Sequence, residues 1–270
     1  MTVLLTSDAD GVRTLTLNRP HRKNAIDAEL WEALRAALVE AGEDRSVRAL
    51  VLTGAGGAFC SGADISQRVS GAHPLYRMRT LTEVTLALHE LPVPTVAKVT
   101  GIAVGAGWNL ALGCDLVVAT EEARFAQIFA RRGLSPDCGG SWLLPRLVGL
   151  QQAKRLALLA ETIDAEEARA LNLVTWVVDT GTVDAFVDGL TARLVAGAPV
   201  ALAQTKALLN EGAEHTLREA LTSEARAQAV NFATADVPEA YAAFAEKRDA
   251  HFTGRWAVPG RTAGRSEDKT

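Results

Sequence analysis

Three short glycine-bearing segments hold the residues whose types and spacing could do chemistry. Ser61-Gly62-Ala63-Asp64-Ile65 and Gly105-Ala106-Gly107-Trp108-Asn109 each set a glycine beside small residues. Such a segment lets a backbone N–H come close to a ligand. The second also opens a helix, where free amides and the helix dipole favour developing negative charge. Either segment alone has a steric explanation. Together they could supply the two N–H donors of an oxyanion hole. The third segment, Gly133-Leu-Ser-Pro-Asp-Cys-Gly-Gly140, carries an acid on a rigid turn. Asp137 there reads either as a carboxylate aimed for proton transfer or as the N-cap of a helix over Gly139 to Leu144.

Other chemistries are poorly served. Gly54-Ala-Gly-Gly-Ala-Phe59 follows a strand but has Phe59 where a dinucleotide loop needs its third glycine, so it reads as a turn. The histidines (His21, His73, His89, His215, His251) lack metal-ligand spacing, and the sequence has no G-x-S-x-G. Cys60, Cys114 and Cys138 are odd in number and form no C-x-x-C pair, which fits a reducing compartment.

These segments need elements to hold them. Val12 to Leu17 alternates like a strand, and Arg48 to Thr53, Thr95 to Val99 and Leu116 to Ala119 read as strands too. Leu30, Leu34, Leu38 and Ala41 recur at helical spacing behind Asp27, a suitable N-cap. Gly105 to Leu112 is a tight turn entering a short helix. This succession predicts an α/β protein with a mostly parallel, covered sheet. Beyond about Pro145 the pattern turns helical. Helices are expected over Gln151 to Ala160 and from Asp164, with Glu167 as capping-box partner, to Asn172. Val174 to Val178 is a short strand, and Val183 to Phe252 is Ala-rich and helical. Residues 1–195 are expected to form a core and 196–270 a C-terminal helical region, ending in a polar, loose tail over Gly260 to Thr270.

Composition sets the outer bounds. The 270 residues carry a formal net charge of −4, with 48% hydrophobic and 22% charged residues. This is enough chain for a large core, and a pI near 5.8 argues against nucleic acid as partner. The longest uncharged stretch, Val99 to Cys114, is too short and glycine-rich for a membrane span. Asp8 and Asp10 stand where an export signal would be apolar, so a cytoplasmic location is expected.

Several ordered motifs resemble those of the crotonase superfamily, the enoyl-CoA hydratases and isomerases. They are Leu17-Asn-Arg-Pro20 with Lys23-Asn-Ala-Ile26, Ala58-Phe-Cys-Ser-Gly-Ala-Asp-Ile65, Gly101-Ile-Ala-Val-Gly-Ala-Gly107 and Ala242-Ala-Phe-Ala-Glu-Lys-Arg248. The resemblance spans residues 3 to 256. It implies a spiral of ββα units with a C-terminal helical region that drives assembly into a homotrimer or hexamer. It also implies an acyl-CoA substrate whose thioester carbonyl lies between the N–H groups of Ala63 and Ala106. No separate cofactor is implied, since coenzyme A enters with the substrate. Backbone at Ala63, Asp64 and Ile65 would embrace the adenine. Lys23, Phe244 and Lys247 would lie near the CoA phosphates and adenine, the last two from the same or a neighbouring subunit.

The departures narrow the activity. The two glutamates with which hydratases of this family hold water align with Asn109 and Phe129, and neither residue can take or give a proton. The run from Gly133 through Trp142-Leu-Leu-Pro-Arg-Leu-Val-Gly149 is similar to ring-epoxide phenylacetyl-CoA isomerases, which also carry Asn at the position of Asn109. The reading favoured by the resemblance is an acyl-CoA isomerase, with Asp137 as proton shuttle and Asn109 as a substrate-orienting amide. A 2-enoyl-CoA hydratase and a non-catalytic CoA-binding or scaffold protein are the alternatives.

Overall fold

The computed structural model describes residues 2–66 and 73–257. It comprises two compact units, one up to Val195 and one from Ala196 on.

The first unit opens with a hairpin of β1 (Leu4–Ala9) and β2 (Val12–Leu17). Asp10-Gly11 turns it with both residues at positive φ (49° and 79°), the geometry that matches strand twist across a two-residue loop. Helix α1 (Ala28–Glu43) follows, capped by Asp27, whose side chain accepts from the Leu30 N–H at 2.9 Å. Strand β3 (Ala49–Gly54), helix α2 (Pro74–His89), β4 (Thr95–Val99), β5 (Ile102–Val104) and α3 (Ala106–Gly113) come next. Then come β6 (Leu116–Thr120), β7 (Arg124–Ala126), a 3₁₀ turn (Ile128–Arg132), α4 (Gly140–Leu159), β8 (Thr162–Asp164), α5 (Ala165–Ala170), β9 (Trp176–Val178) and α6 (Val183–Ala196).

The main sheet runs β1-β2-β3-β4-β6-β9, with the first pair antiparallel and the rest parallel. The alternation of strand side chains divides its two faces. Leu50, Leu52, Ala97, Val99, Val117 and Ala119 join the large core with α1, α2 and α3. Val51, Val96 and Val118 face the other way, onto Val183, Val187 and Leu190 of α6. Burial on both faces explains why these strands are apolar runs. A smaller sheet, β5-β7-β8, stands at the start of α3.

Some expectations need correcting. The Gln151 to Ala160 helix is the second half of α4, which is broken at Gly149 by non-helical angles (φ 75°, ψ 161°). Asp164 does cap α5, but no capping box forms: the Glu167 carboxylate goes to Arg155 at 2.7 Å. The strand expected from Val174 starts at Trp176. In the second unit α7 (Pro199–Gly212), α8 (Leu217–Phe232) and α9 (Asp236–Glu246) stop short of Phe252. The Asp236 carboxylate, 4% exposed, instead accepts the N–H groups of Thr253 and Gly254 and pins that end as a non-helical strap. The tail from Gly260 lies outside the described residues. No single described helix is long and apolar enough to cross a membrane.

Candidate active site

The first two glycine segments come together through backbone pairing. Cys60 bridges Ala103 in parallel, with Cys60 N–H donating to the Ile102 carbonyl and Val104 N–H to the Cys60 carbonyl, both at 2.9 Å. β5 leads straight into α3, so this pairing carries residues 60–62 to the α3 N-terminus. A β-carbon on Gly62 (φ +94°) would lie 2.9 Å from the Val104 carbonyl oxygen and 3.7 Å from the Ala106 nitrogen. Glycine at 62 is therefore needed both for its φ and for the close approach.

The pairing also aims the amides. Ile26 bridges Ala63 in parallel by donating to the Gly62 carbonyl (2.8 Å) and accepting from the Asp64 N–H (2.9 Å). In a parallel bridge these bonds use the neighbours of Ala63, so the Ala63 N–H faces the opposite side. Ala106 is the first residue of α3, behind Gly105, which offers no side-chain cap. The first N–H groups of a helix have no partner within it. The two segments thus present amides able to polarise a carbonyl.

Arg19 and Asn24 hold this framework, and the sequence reading missed their roles. The buried Asn24 amide donates to the Ala55 and Ala58 carbonyls at 2.8 and 2.7 Å. Arg19 pairs with Asp27 at 3.1 Å and Asp64 at 2.9 Å, with the Arg19 and Asp64 side chains 10% and 5% exposed. Bonds from the Ser66 hydroxyl and N–H, assisted by Arg19, hold the Asp64 carboxyl down at about 2. The Asp64 N–H is spent on Ile26, and its carboxylate is a structural anchor. Ile65 and Lys23 are exposed. Lys23 ends the short turn Pro20–Arg22 at φ 49°, and its carbonyl accepts the Ser61 N–H at 3.0 Å. Phe244 and Lys247 lie at the end of α9 in the second unit, both exposed.

Asp137 is not a helix cap. Helix α4 begins at Gly140 behind Gly139, with no side-chain cap bond, and the Asp137 main-chain carbonyl accepts the Gly140 N–H at 2.9 Å. The carboxyl stays half-buried, and its Oδ1 has no hydrogen-bond partner. Burial pushes its pKa up, opposed by bonds from the Cys138 thiol and its own backbone. A half-buried carboxyl with one oxygen unpartnered and a raised pKa is suited to proton transfer.

The amide expected at Asn109 to orient substrate is bonded within the protein. Asn109 is fully buried one turn into α3, with Nδ2 donating to the Asp137 carbonyl at 2.8 Å and Oδ1 accepting from Gln127 Nε2 at 2.7 Å. A β-carbon on Gly140 would come within 2.4 Å of Asn109 Nδ2, so glycine there lets α4 close over the amide. Phe129 is buried in the 3₁₀ turn, its ring 3.6 Å from where a Gly105 β-carbon would stand. An apolar ring therefore lies against the residue that precedes Ala106.

A crotonase-like α/β fold with paired amide segments defines the class of protein. The family model for enoyl-CoA hydratase/isomerase matches residues 7–255, and the chain belongs to that family. It is 38% identical to the 1,2-epoxyphenylacetyl-CoA isomerase of Escherichia coli K12, over 94% of this chain and all of that protein. A Rhodobacter capsulatus protein named "Probable enoyl-CoA hydratase" is 41% identical over 92% of this chain and 96% of its own. The crystal structure of a Mycobacterium smegmatis enoyl-CoA hydratase superposes with a TM-score of 0.87 at 36% identity, covering 93% of this chain and 99% of that one.

Proposed function

We propose that this chain is an acyl-CoA thioester isomerase with Asp137 as its proton shuttle. The observation that carries the reading is the Asp137 carboxyl: half-buried, free of any capping duty and with one oxygen unpartnered. In this reading the thioester carbonyl accepts from the Ala63 and Ala106 N–H groups. Asp137 removes a proton from the carbon beside that carbonyl of a 3-enoyl-CoA. The electron pair spreads into a dienolate held by the two amides. The same proton, now on Asp137, returns to the far carbon, and the double bond has moved to position 2. Each amide aimed at the oxyanion contributes about 2.7–4 kcal/mol by analogy with measured oxyanion holes.

Hydration asks for more. It needs a base for water and an acid for carbon. Phe129 closes one of those positions with a ring, and Asn109 spends its amide on Asp137 and Gln127. Within the isomerase reading, ring-epoxide isomerisation is favoured by the likeness to the Escherichia coli enzyme. Side-by-side assays with a 3-enoyl-CoA, a ring-epoxide acyl-CoA and crotonyl-CoA test all of this. Turnover of one of the first two in the ordinary range of about 1–10³ s⁻¹ is expected, with crotonyl-CoA hydrated at least about a hundredfold more slowly. Ordinary-range hydration of crotonyl-CoA would replace the proposal by hydratase. Binding of CoA thioesters without turnover would favour a non-catalytic protein.

The functional particle in this reading is a homotrimer or a dimer of trimers. Support comes from the second unit, where Leu209, Leu217, Leu221, Phe232, Tyr241 and Phe244 are all more than half exposed. So much large apolar surface favours a protein partner. Phe244 and Lys247 would then serve a CoA moiety from such an assembly. Light scattering is expected to give three or six times the 28.6 kDa chain mass; a monomer at working concentration would contradict it.

A further inference from the structure

We propose that Gln127 is a positioning residue for Asp137, acting through Asn109. This deepens the isomerase reading and rests on it for its kinetic consequence. The argument starts from a group of fixed polarity. The Asp137 main-chain carbonyl can only accept, so the end of the Asn109 amide that meets it at 2.8 Å must be the NH₂. The other end of Asn109 is then an acceptor and calls for a donor. Gln127 supplies it, with Nε2 2.7 Å from Asn109 Oδ1.

Both amides are fully buried, so neither is exchanged with bulk water. Gln127 Oε1 is itself buried without a partner, so the donor end is the end this side chain uses. The Asn109 amide is thereby fixed against flipping, and its NH₂ shares the Asp137 carbonyl with the Gly140 N–H at 2.9 Å. The Asp137 backbone is held on that oxygen, and from it the carboxyl is aimed. The same polarity explains an amide at position 109: an ionised acid there would set oxygen against oxygen at the Asp137 carbonyl. The 3₁₀ turn that follows Gln127 carries Phe129, so one segment both orients the turn and walls the site.

The test compares Gln127→Met, Asn109→Ala and the double variant with wild type. Met keeps the length of the side chain and removes its donor. Each single variant should lose about 10–100-fold in kcat, as when a catalytic group shifts by about an ångström. KM should stay within about twofold, since uniform binding is untouched. The double variant should lose no more than Asn109→Ala alone, because Gln127 acts only through Asn109. Exchange of the Gly140 amide hydrogen should quicken by about tenfold or more in all three. Wild-type kcat in Gln127→Met, fully additive losses in the double variant, or a loss confined to KM would each overturn the proposal. If wild type isomerises no 3-enoyl-CoA or ring epoxide, the isomerase reading falls alone. The Gly140 exchange then decides the network, and an unchanged rate would end it.

Discussion

Replacing Asp137 by Asn is expected to lower isomerase kcat by about 10²–10⁴-fold, the loss usual for a positioned general base. Asn keeps the size of the side chain and leaves the main-chain carbonyl that receives Gly140 and Asn109. The amides at Ala63 and Ala106 are backbone groups, so CoA-thioester affinity should change little. The variant should also melt higher than wild type at neutral pH. Burial raises the Asp137 pKa, so its ionised form is less welcome in the folded chain than in the unfolded one. Wild type gains that stability back as pH falls from the raised native pKa to the ordinary carboxylate range, and the melting difference should fade over that interval. Wild-type turnover should show an acid limb displaced upward from an ordinary carboxylate, because the base must be ionised to act. Parallel measurements of kcat, thioester affinity and melting temperature against pH check each part. Unchanged turnover in Asp137→Asn would remove this carboxylate from the mechanism.

Asp64→Ala should cost about 3 kcal/mol of stability, the lower end for breaking a buried ion pair. The lower end applies because Arg19 keeps Asp27 when Asp64 is gone. The loss is expected in urea unfolding at neutral pH as a shifted midpoint with unchanged slope. The pH dependence runs opposite to that of Asp137. The Asp64 pKa is lowered to about 2, so its contribution is complete above the ordinary carboxylate range and vanishes as pH falls through that value. Wild type and Asp64→Ala should therefore converge in acid. Because the Arg19–Asp64 pair supports the segment that aims Ala63, thioester binding should weaken as well. Equal stability at neutral pH would make this pair a surface feature, contrary to its burial.

Much of the architecture was legible along the chain. Asp27 before an i, i+3, i+4 apolar stripe marks α1, because that stripe must be buried and the cap satisfies an open amide. The apolar runs at Ala49–Gly54 and Leu116–Thr120 mark strands covered on both faces. The glycines at 62, 105 and 107 mark the two amide segments. Helix α2 was not legible: its apolar residues lack a clean stripe, and Leu75, Tyr76, Met78 and Leu86 are exposed. Nor was the end of α9: Lys247 closes it in the left-handed conformation (φ 56°), and the strap beyond is held by Asp236, 17 residues from its partner Thr253.

The sequence by itself determined the fold class and its family. It also determined the presence of an acid at 137 and the lack of acids at 109 and 129. Those follow from residue types and from patterns within a few turns of chain. Tertiary structure decided whether Asp137 caps a helix and which groups the Asn109 amide meets. Whether Asp137 caps α4 depends on where the helix starts, and Gly139 takes that place. The direction of the Asn109 amide depends on Gln127, 18 residues away, and on Asp137, 28 away. An amide side chain has a donor end and an acceptor end, and local sequence says nothing of which neighbour each will meet. Only the folded packing of α3, the 3₁₀ turn and the loop before α4 brings those neighbours within bonding distance and fixes the choice.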